Sequence, residues 1–284
     1  MPKRKLRICL VSIAIPPDFE DGAAKFFRGI FDYLRARGHD VTLITGKWTH
    51  DLDDPDIVQV DILRQRFLWF PQFTLSVWKY LRSHEFDIIH GNGPKSSFPI
   101  ILSGQHRFIT TIHDLGPFET KFTLFPIEKY LIKLVAKKAE RITTCSDIIR
   151  RQINHYMSEK SLDDIHNLYS AIESKFKPYP EKARKIKEKL GITGPVLLYV
   201  GRIAHYKGVE DIIYAYDLAK KKLPDLTLVM GGKPDFSMEE KYQEWKKQRD
   251  DIHFLGFLPQ ESIPYYYSLG DVFVTYSHAS EGFG

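Results

Sequence analysis

Val196-Leu197-Leu198-Tyr199-Val200 leads into Gly201-Arg202-Ile203-Ala204-His205-Tyr206-Lys207-Gly208, and Val209-Glu210-Asp211-Ile212-Ile213-Tyr214-Ala215-Tyr216 follows. The apolar run predicts a buried strand and the last stretch predicts a helix, so the middle is a loop that ends at a helix N-terminus. Such a terminus carries partial positive charge and unpaired N–H groups. Arg202 and Lys207 add fixed cations, one able to grip phosphate oxygens at two points and one a compact charge. The stretch reads as a diphosphate site. A solvated loop that happens to carry basic residues is the plainer alternative.

The same alternation extends in both directions from this loop. Downstream, the spacing predicts a helix over 208–222, a strand over 226–230, a helix over 238–248, a strand over 252–255, a helix over 260–268 and a strand over 271–276. Upstream, Glu173 to Pro180 carries Lys175, Lys177, Pro178 and Pro180, the texture of a linker before a short charged helix ending at Gly191. Before that linker the pattern begins again from the first residues. A buried strand is expected over 7–15 and a loop from Pro16 to Gly22, after which Phe26, Phe27, Ile30, Phe31 and Leu34 recur at helical spacing. Gly38 stops that helix and Val41-Thr42-Leu43-Ile44-Thr45 is the next strand. Further strands are expected over 57–63, 86–90, 98–103, 108–112 and 141–145, with a helix over 126–139 and another capped by Ser146. The fold class is therefore α/β, with two doubly wound parallel-sheet domains over 1–172 and 173–284. The second is the shorter and stops just after a strand, so the chain is expected to be incomplete at its C-terminus.

Composition fits this reading. The chain has 284 residues, 43% of them hydrophobic, enough for sizeable cores. A formal net charge of +5 allows phosphate-bearing ligands or an anionic membrane surface and gives no reason to invoke nucleic acid. Only Cys9 and Cys145 are present, both in apolar runs, which suits buried thiols in a reducing, cytoplasmic compartment. No metal-binding spacing occurs among the histidines and cysteines, so no metal and no tightly bound cofactor are expected.

Three further stretches could carry chemistry. Ser277-His278-Ala279-Ser280-Glu281-Gly282-Phe283-Gly284 follows a strand end, where open α/β sheets bind ligands. A carboxylate there can accept hydrogen bonds from sugar hydroxyls or stabilise developing positive charge, and glycines let a ligand approach the backbone. By itself it could equally be an ordinary turn. Thr110-Thr111-Ile112-His113-Asp114 ends an apolar strand with a histidine that could bond a substrate hydroxyl or act on a proton, or could be structural. Asp21-Gly22-Ala23-Ala24 opens the first helix and is a candidate ligand loop.

Taken together, these stretches resemble the GT-B glycosyltransferases, within them the large retaining group called family 4, over nearly the whole chain. Asp21-Gly22-Ala23 and Gly38-His39-Asp40-Val41 look like its glycine loop and "GH-V" strand. Asp87-Ile88-Ile89-His90 looks like its "D-V-H" strand and His113-Asp114 like its "HD" site. Leu198 to Lys207 matches the donor loop, and Ile252 to Leu258 looks like the base-contacting strand and turn. Ser280-Glu281-Gly282-Phe283-Gly284 looks like the start of E-x7-E. The resemblance implies a nucleotide-diphosphate sugar as donor, held mainly by the C-terminal domain, and a hexosyl transfer to a hydroxyl of a glycan, a lipid-linked molecule or a small molecule. Arg202 and Lys207 would hold the diphosphate and stabilise the leaving nucleotide in place of a metal. Gly201, Phe257 and Leu258 would line the donor site, and Glu281 would contact the transferred sugar with Gly282, Phe283 and Gly284 beside it. His113 would face the sugar, and Asp21, Gly22 and Ala23 would line the acceptor side.

The sequence departs from the family pattern in several places. Asp21 stands where the first of two glycines is usual, and Ser170-Ala171-Ile172-Glu173 where Asn-Gly-Val-Asp is common. The second Glu of E-x7-E would fall beyond Gly284, which would make this stretch of chain inactive or weak. Other readings therefore stay open: a catalytically silent nucleotide-sugar-binding fragment, or a sugar-nucleotide epimerase or phosphorylase on the same fold. Finally, aromatic and basic residues mix at Arg64–Pro71, at Val77–Arg82 and from Lys121 to Lys138. This is the composition of a peripheral membrane contact, or of core helices with a solvated basic face.

Overall fold

The computed structural model describes residues 4–65, 68–105, 107–119 and 126–278. The chain divides after Ala171 into two compact units. In the first, β1 (Arg7–Val11), β2 (Asp40–Lys47), β3 (Ile57–Asp61), β4 (Ile88–Asn92), β5 (Phe108–Ile112), β6 (Arg141–Thr144) and β7 (Ile165–Asn167) form one sheet in the order β3-β2-β1-β4-β5-β6-β7. Every pairing is parallel. The connections are helical: α1 (Gly22–Ala36), α2 (Trp69–Ser83), α3 (Gly93–Leu102), the single turn α4 (Gly116–Glu119), α5 (Pro126–Lys138) and α6 (Asp147–Tyr156). The chain winds outward from β1 to one edge, returns to β4 beside it, and winds to the other edge. That reversal between β1 and β4 is the switch point at which open sheets place ligands.

β1 shows why the first apolar run becomes a central strand. Cys9 and Val11 enter a core with Phe73, Val77, Ile89 and Val135, whereas Ile8 and Leu10 enter another with Phe27, Phe31 and Leu43. A strand buried on both faces needs apolar residues at successive positions. The strand is shorter than expected and ends at Val11, because Ser12 to Ile15 turns into the loop before α1. α1 carries the expected periodicity, with Phe27 and Phe31 one turn apart and completely buried.

Asp21 is the N-cap of α1, with Oδ1 accepting from the Ala24 N–H at 2.8 Å. The Asp21 carboxylate thus has a local mechanical role. Asp21→Ala is expected to cost about 1 kcal/mol and Asp21→Gly only a few tenths. Urea midpoints of the two variants would check the order.

One expected strand is absent. Residues 98–103 fall in α3 and its C-cap, not in the sheet. A short apolar run bounded by turn residues carries no period that separates strand from buried helix. The structure resolves the ambiguity through Ser96 and Ser97, which are fully buried, and through Gly91 on β4. A Cβ at Gly91 would overlap the Ser97 hydroxyl, so the glycine lets α3 lie close against the sheet. The aromatic and basic stretch after Leu68 is α2, whose Phe73, Thr74, Val77 and Leu81 face the core.

The second unit has a smaller sheet. β8 (Val196–Val200), β9 (Thr227–Gly231), β10 (Ile252–Gly256) and β11 (Val272–Phe273) lie in the order β10-β9-β8-β11, again all parallel. α7 (Pro180–Lys189), α8 (Val209–Lys220), α9 (Glu239–Gln248) and α10 (Ile263–Leu269) flank it. Tyr199 turns to one core with Val209, Ile212, Tyr216 and Met230; Val196 and Leu198 turn to the other with Ala183, Val229 and Leu269. The last strand, expected over 271–276, is confined to two residues. Among the described residues no helix is long and apolar enough to cross a membrane.

Candidate active site

The residues singled out in the second unit gather at the carboxyl ends of β8, β9 and β10. The loop after β8 is tied to the loop after β9 by Gly201 N–H to Gly231 O (2.9 Å) and Ile203 N–H to Lys233 O (2.9 Å). Gly232 N–H in turn bonds Gly256 O at 2.7 Å, so the strand-end loops run on as a stack beyond the sheet. Gly232 has φ +146 and a Cβ there would overlap the Gly201 carbonyl. On the other flank, Gly208 has φ +60 and a Cβ would overlap the Tyr276 carbonyl. Each contact needs a residue without a side chain. The buried Tyr199 finishes the clamp by donating its hydroxyl to Arg202 O at 2.7 Å.

This rigid loop presents the two cations. The Arg202 side chain lies at an exposed position and Lys207 at a half-buried one, in a 3-10 turn over His205–Lys207. Burial, and then the positive charge of Arg202, push the Lys207 ammonium below its ordinary value. Two like charges held this way are stabilised by an anion placed between them. The helix N-terminus contributes less than the sequence suggested. α8 carries Glu210 and Asp211 in its first turn, and its N-cap Gly208 supplies no side-chain bond. Glu210 is engaged by Lys241 and by His205 Nδ1 at 2.8 Å, and Asp211 by His278 Nε2 at 2.9 Å. The helix thus supplies its own compensating charge, and an anion would be held chiefly by the side chains of Arg202 and Lys207.

Phe257 and Leu258 follow β10 and differ in role. Phe257 is 61% exposed, with Lys233 Nζ 5.0 Å from its ring centre. Leu258 is buried and packs on Gly231, where a Cβ would overlap it. Its side chain is a strut beneath the loop stack. Lys233 was missed in the sequence, although Gly231-Gly232-Lys233 repeats the pattern of glycine and cation at a strand end. Glu281, Gly282, Phe283 and Gly284 lie outside the described residues.

In the first unit the candidates gather at the carboxyl ends of β1, β4 and β5, neighbours in the sheet. His113 follows β5 and is half-buried. Its Nε2 lies 2.7 Å from Asn92 Oδ1, at the end of β4. Asn92 Nδ2 donates to Ser12 Oγ at 2.9 Å, just after β1, and to Ala23 O at 3.3 Å in the first turn of α1. Phe26 stands edge-on to the His113 ring at 5.6 Å. Burial lowers the imidazole below its ordinary value against the opposing pull of Asp114 and Asp21, favouring the neutral ring. Gly22 has nothing within 4 Å of where a Cβ would lie, so this turn is open. The structure brings together His113 and the Asp21-Gly22-Ala23 loop through Asn92, which nothing in the sequence marked. Among the described residues no three His, Cys, Asp or Glu side chains are placed to hold a metal ion.

The arrangement in each unit agrees with comparisons to known proteins. Residues 21–172 match the model of Glycosyltransferase Family 4, and residues 182–284 that of Glycosyl transferases group 1. Alpha-D-kanosaminyltransferase of Streptomyces kanamyceticus is 30% identical over 67% of this chain and 52% of its own length. Alpha-monoglucosyldiacylglycerol synthase of Acholeplasma laidlawii is 25% identical over 86% of this chain and 68% of its own. The chain thus spans roughly half to two thirds of these relatives. In fold it is similar to Anabaena HepE, solved in complex with UDP and glucose, with a TM-score of 0.74 at 17% identity over 98% of this chain and 76% of that one. With paired parallel α/β units of the GT-B type and a family match over more than half its length, the chain belongs to Glycosyltransferase Family 4.

Proposed function

We propose that this chain carries the machinery for moving a hexosyl group from a nucleotide-diphosphate sugar to a hydroxyl acceptor, with retention at the anomeric carbon. The observation that carries the reading is the pair Arg202 and Lys207, set on a glycine-pinned loop at the end of β8 where burial, and then the charge of Arg202, depress Lys207. In transfer the diphosphate becomes the leaving group and gains negative charge. Cations already held in place stabilise that charge without reorganisation. They do the work that a divalent metal does elsewhere, so no metal is required. His113 would bond a sugar hydroxyl, and Glu281 with Gly282, Phe283 and Gly284, which lie outside the described residues, would make the contact with the transferred sugar that the family resemblance implies. The Asp21-Gly22-Ala23 turn borders the acceptor. HepE, with its bound UDP and glucose, supports a nucleotide-sugar donor. Retention would follow from front-face transfer, in which the leaving phosphate itself assists the incoming hydroxyl.

An acceptor at a lipid surface fits the outer face of α5, where Ile127 (67% exposed) and Tyr130 (73%) stand out beside Lys133 and Lys137. Apolar and cationic residues on one exposed face are what an anionic bilayer surface attracts. The glucosyldiacylglycerol synthase among the relatives supports the same reading.

The test is a panel of nucleotide sugars. One donor should raise the thermal midpoint of the second unit, since a ligand that binds only the folded state stabilises it. The same donor should yield product whose new linkage keeps the donor's anomeric configuration by NMR. Interconversion of sugars without an acceptor would identify an epimerase instead, and no stabilisation by any nucleotide sugar would overturn the assignment.

A further inference from the structure

Asn92 occupies the N-cap position of α3, yet its side chain makes no capping bond. Asparagine at that position ordinarily bonds a free N–H of the first turn and so stabilises the helix. Here the side chain turns instead to Ser12, Ala23 and His113. The polarity of that network is fixed by its ends. Ser12 Oγ donates its proton to Ala14 O at 2.8 Å, so it can only accept from Asn92. Ala23 O, a carbonyl, can only accept as well. Both place the amide nitrogen of Asn92 on their side and leave Oδ1 toward His113. Oδ1 cannot donate, so the 2.7 Å contact requires the proton on His113 Nε2. In the neutral ring Nδ1 then carries a lone pair, and no hydrogen bond reaches it from the described residues.

We infer that Asn92 is a positioning residue that holds neutral His113 as its Nε2–H tautomer, so that Nδ1 presents an acceptor to a hydroxyl of the sugar. This rests on the proposed glycosyl transfer only for the identity of that hydroxyl. The residue is held in other ways too: Phe26 packs at a right angle to the ring, and Cys145 Sγ–H donates to the backbone O of His113 at 3.5 Å. The titratable groups around it are Asp21 at the cap of α1, Asp114 on its own loop and the buried His90 on β4.

The experiment pairs NMR with a mutant cycle. In protein labelled with 15N-histidine, the His113 signals are those missing from His113→Gln. Nδ1 should resonate as an unprotonated nitrogen and Nε2 as a protonated one, and Asn92→Ala should bring the two toward an average. A protonated Nδ1 in the wild type, or no change in Asn92→Ala, overturns the inference. Asn92→Asp serves if the alanine variant does not fold. Its carboxylate faces the ring and should hold the imidazolium to higher pH, and an unmoved titration counts against the inference. In transfer assays Asn92→Ala should lower kcat/KM roughly tenfold, the scale of one well-placed hydrogen bond. It should have no further effect in a His113→Ala background. Equal losses in both backgrounds would mean that Asn92 does not act through His113. If the NMR result holds while no nucleotide sugar supports transfer, the functional reading fails and the positioning role stands.

Discussion

Replacing Arg202 with alanine should lower kcat for sugar transfer by about 10²–10³-fold, the scale seen when a preorganised charge partner is removed from a developing oxyanion. KM for the donor should change far less, because charge on the leaving diphosphate grows between ground state and transition state. Lys207→Ala should have a loss of similar size, and the double variant should lose less than the product of the two, since both act on the same charge. Arg202→Lys keeps the charge but not the two-point grip, so it should recover only part of the rate. None of these changes should unfold the second unit. The loop is held by backbone bonds from Gly201 and Ile203 and by the Tyr199 hydroxyl on Arg202 O, contacts that survive truncation of the side chain. Steady-state kinetics with saturating acceptor, alongside the thermal midpoint of each variant, would check both halves. A loss of under fivefold in kcat for Arg202→Ala would remove the clamp from the mechanism.

That loop was readable in advance because its meaning is local. A buried strand, a glycine, spaced cations, a second glycine and a helix follow one another within a short stretch, and chain direction alone puts the loop at the carboxyl end of the sheet. What the sequence hid is contact between distant segments. Gly232 matters because its α-carbon lies against the Gly201 carbonyl, and Asn92 because β1, β4 and β5 are neighbours, which brings Ser12, Asn92 and His113 together. Strand order is not a local property, so neither residue stood out. The run at 98–103 failed for a related reason: its helical state is decided by buried Ser96 and Ser97 packing on Gly91, not by its own apolar residues. Glu210 and Asp211, both in the first turn of α8, offset the dipole on which the reading of that loop leaned, and they were not weighed there.

Acid should weaken the first unit steeply, and His90 should be a principal cause. The side chain projects from the middle of β4 into the core, with Nε2 2.8 Å from Thr111 Oγ1 and the Phe27 ring 4.9 Å away. Among the described residues no carboxylate is hydrogen-bonded to the ring to stabilise an imidazolium. Burial, with a smaller push from His113, drives its pKa from 6.5 down to about 3. Because the folded value lies below the unfolded one, the unfolded chain binds a proton between these limits that the folded chain does not. Stability therefore falls as pH drops from 6.5 toward 3, by about 1.4 kcal/mol per pH unit and about 5 kcal/mol in all from this one group. Above pH 6.5 both states are neutral at this site and the dependence vanishes. His113, also lowered by burial, adds in the same direction. Carboxylates protonate in part of the same range, so the measurement is a difference between wild type and His90→Gln, whose neutral amide does not titrate. The reporter is built in: Trp48, Trp69 and Trp78 belong to the first unit and Trp245 to the second, so a Trp245→Phe background makes tryptophan fluorescence follow the first unit alone. Urea unfolding at pH 7, 6, 5 and 4 should then give a steeper loss for wild type than for the variant, most of it below pH 6.5. Parallel curves would mean that His90 accepts a proton within the folded core.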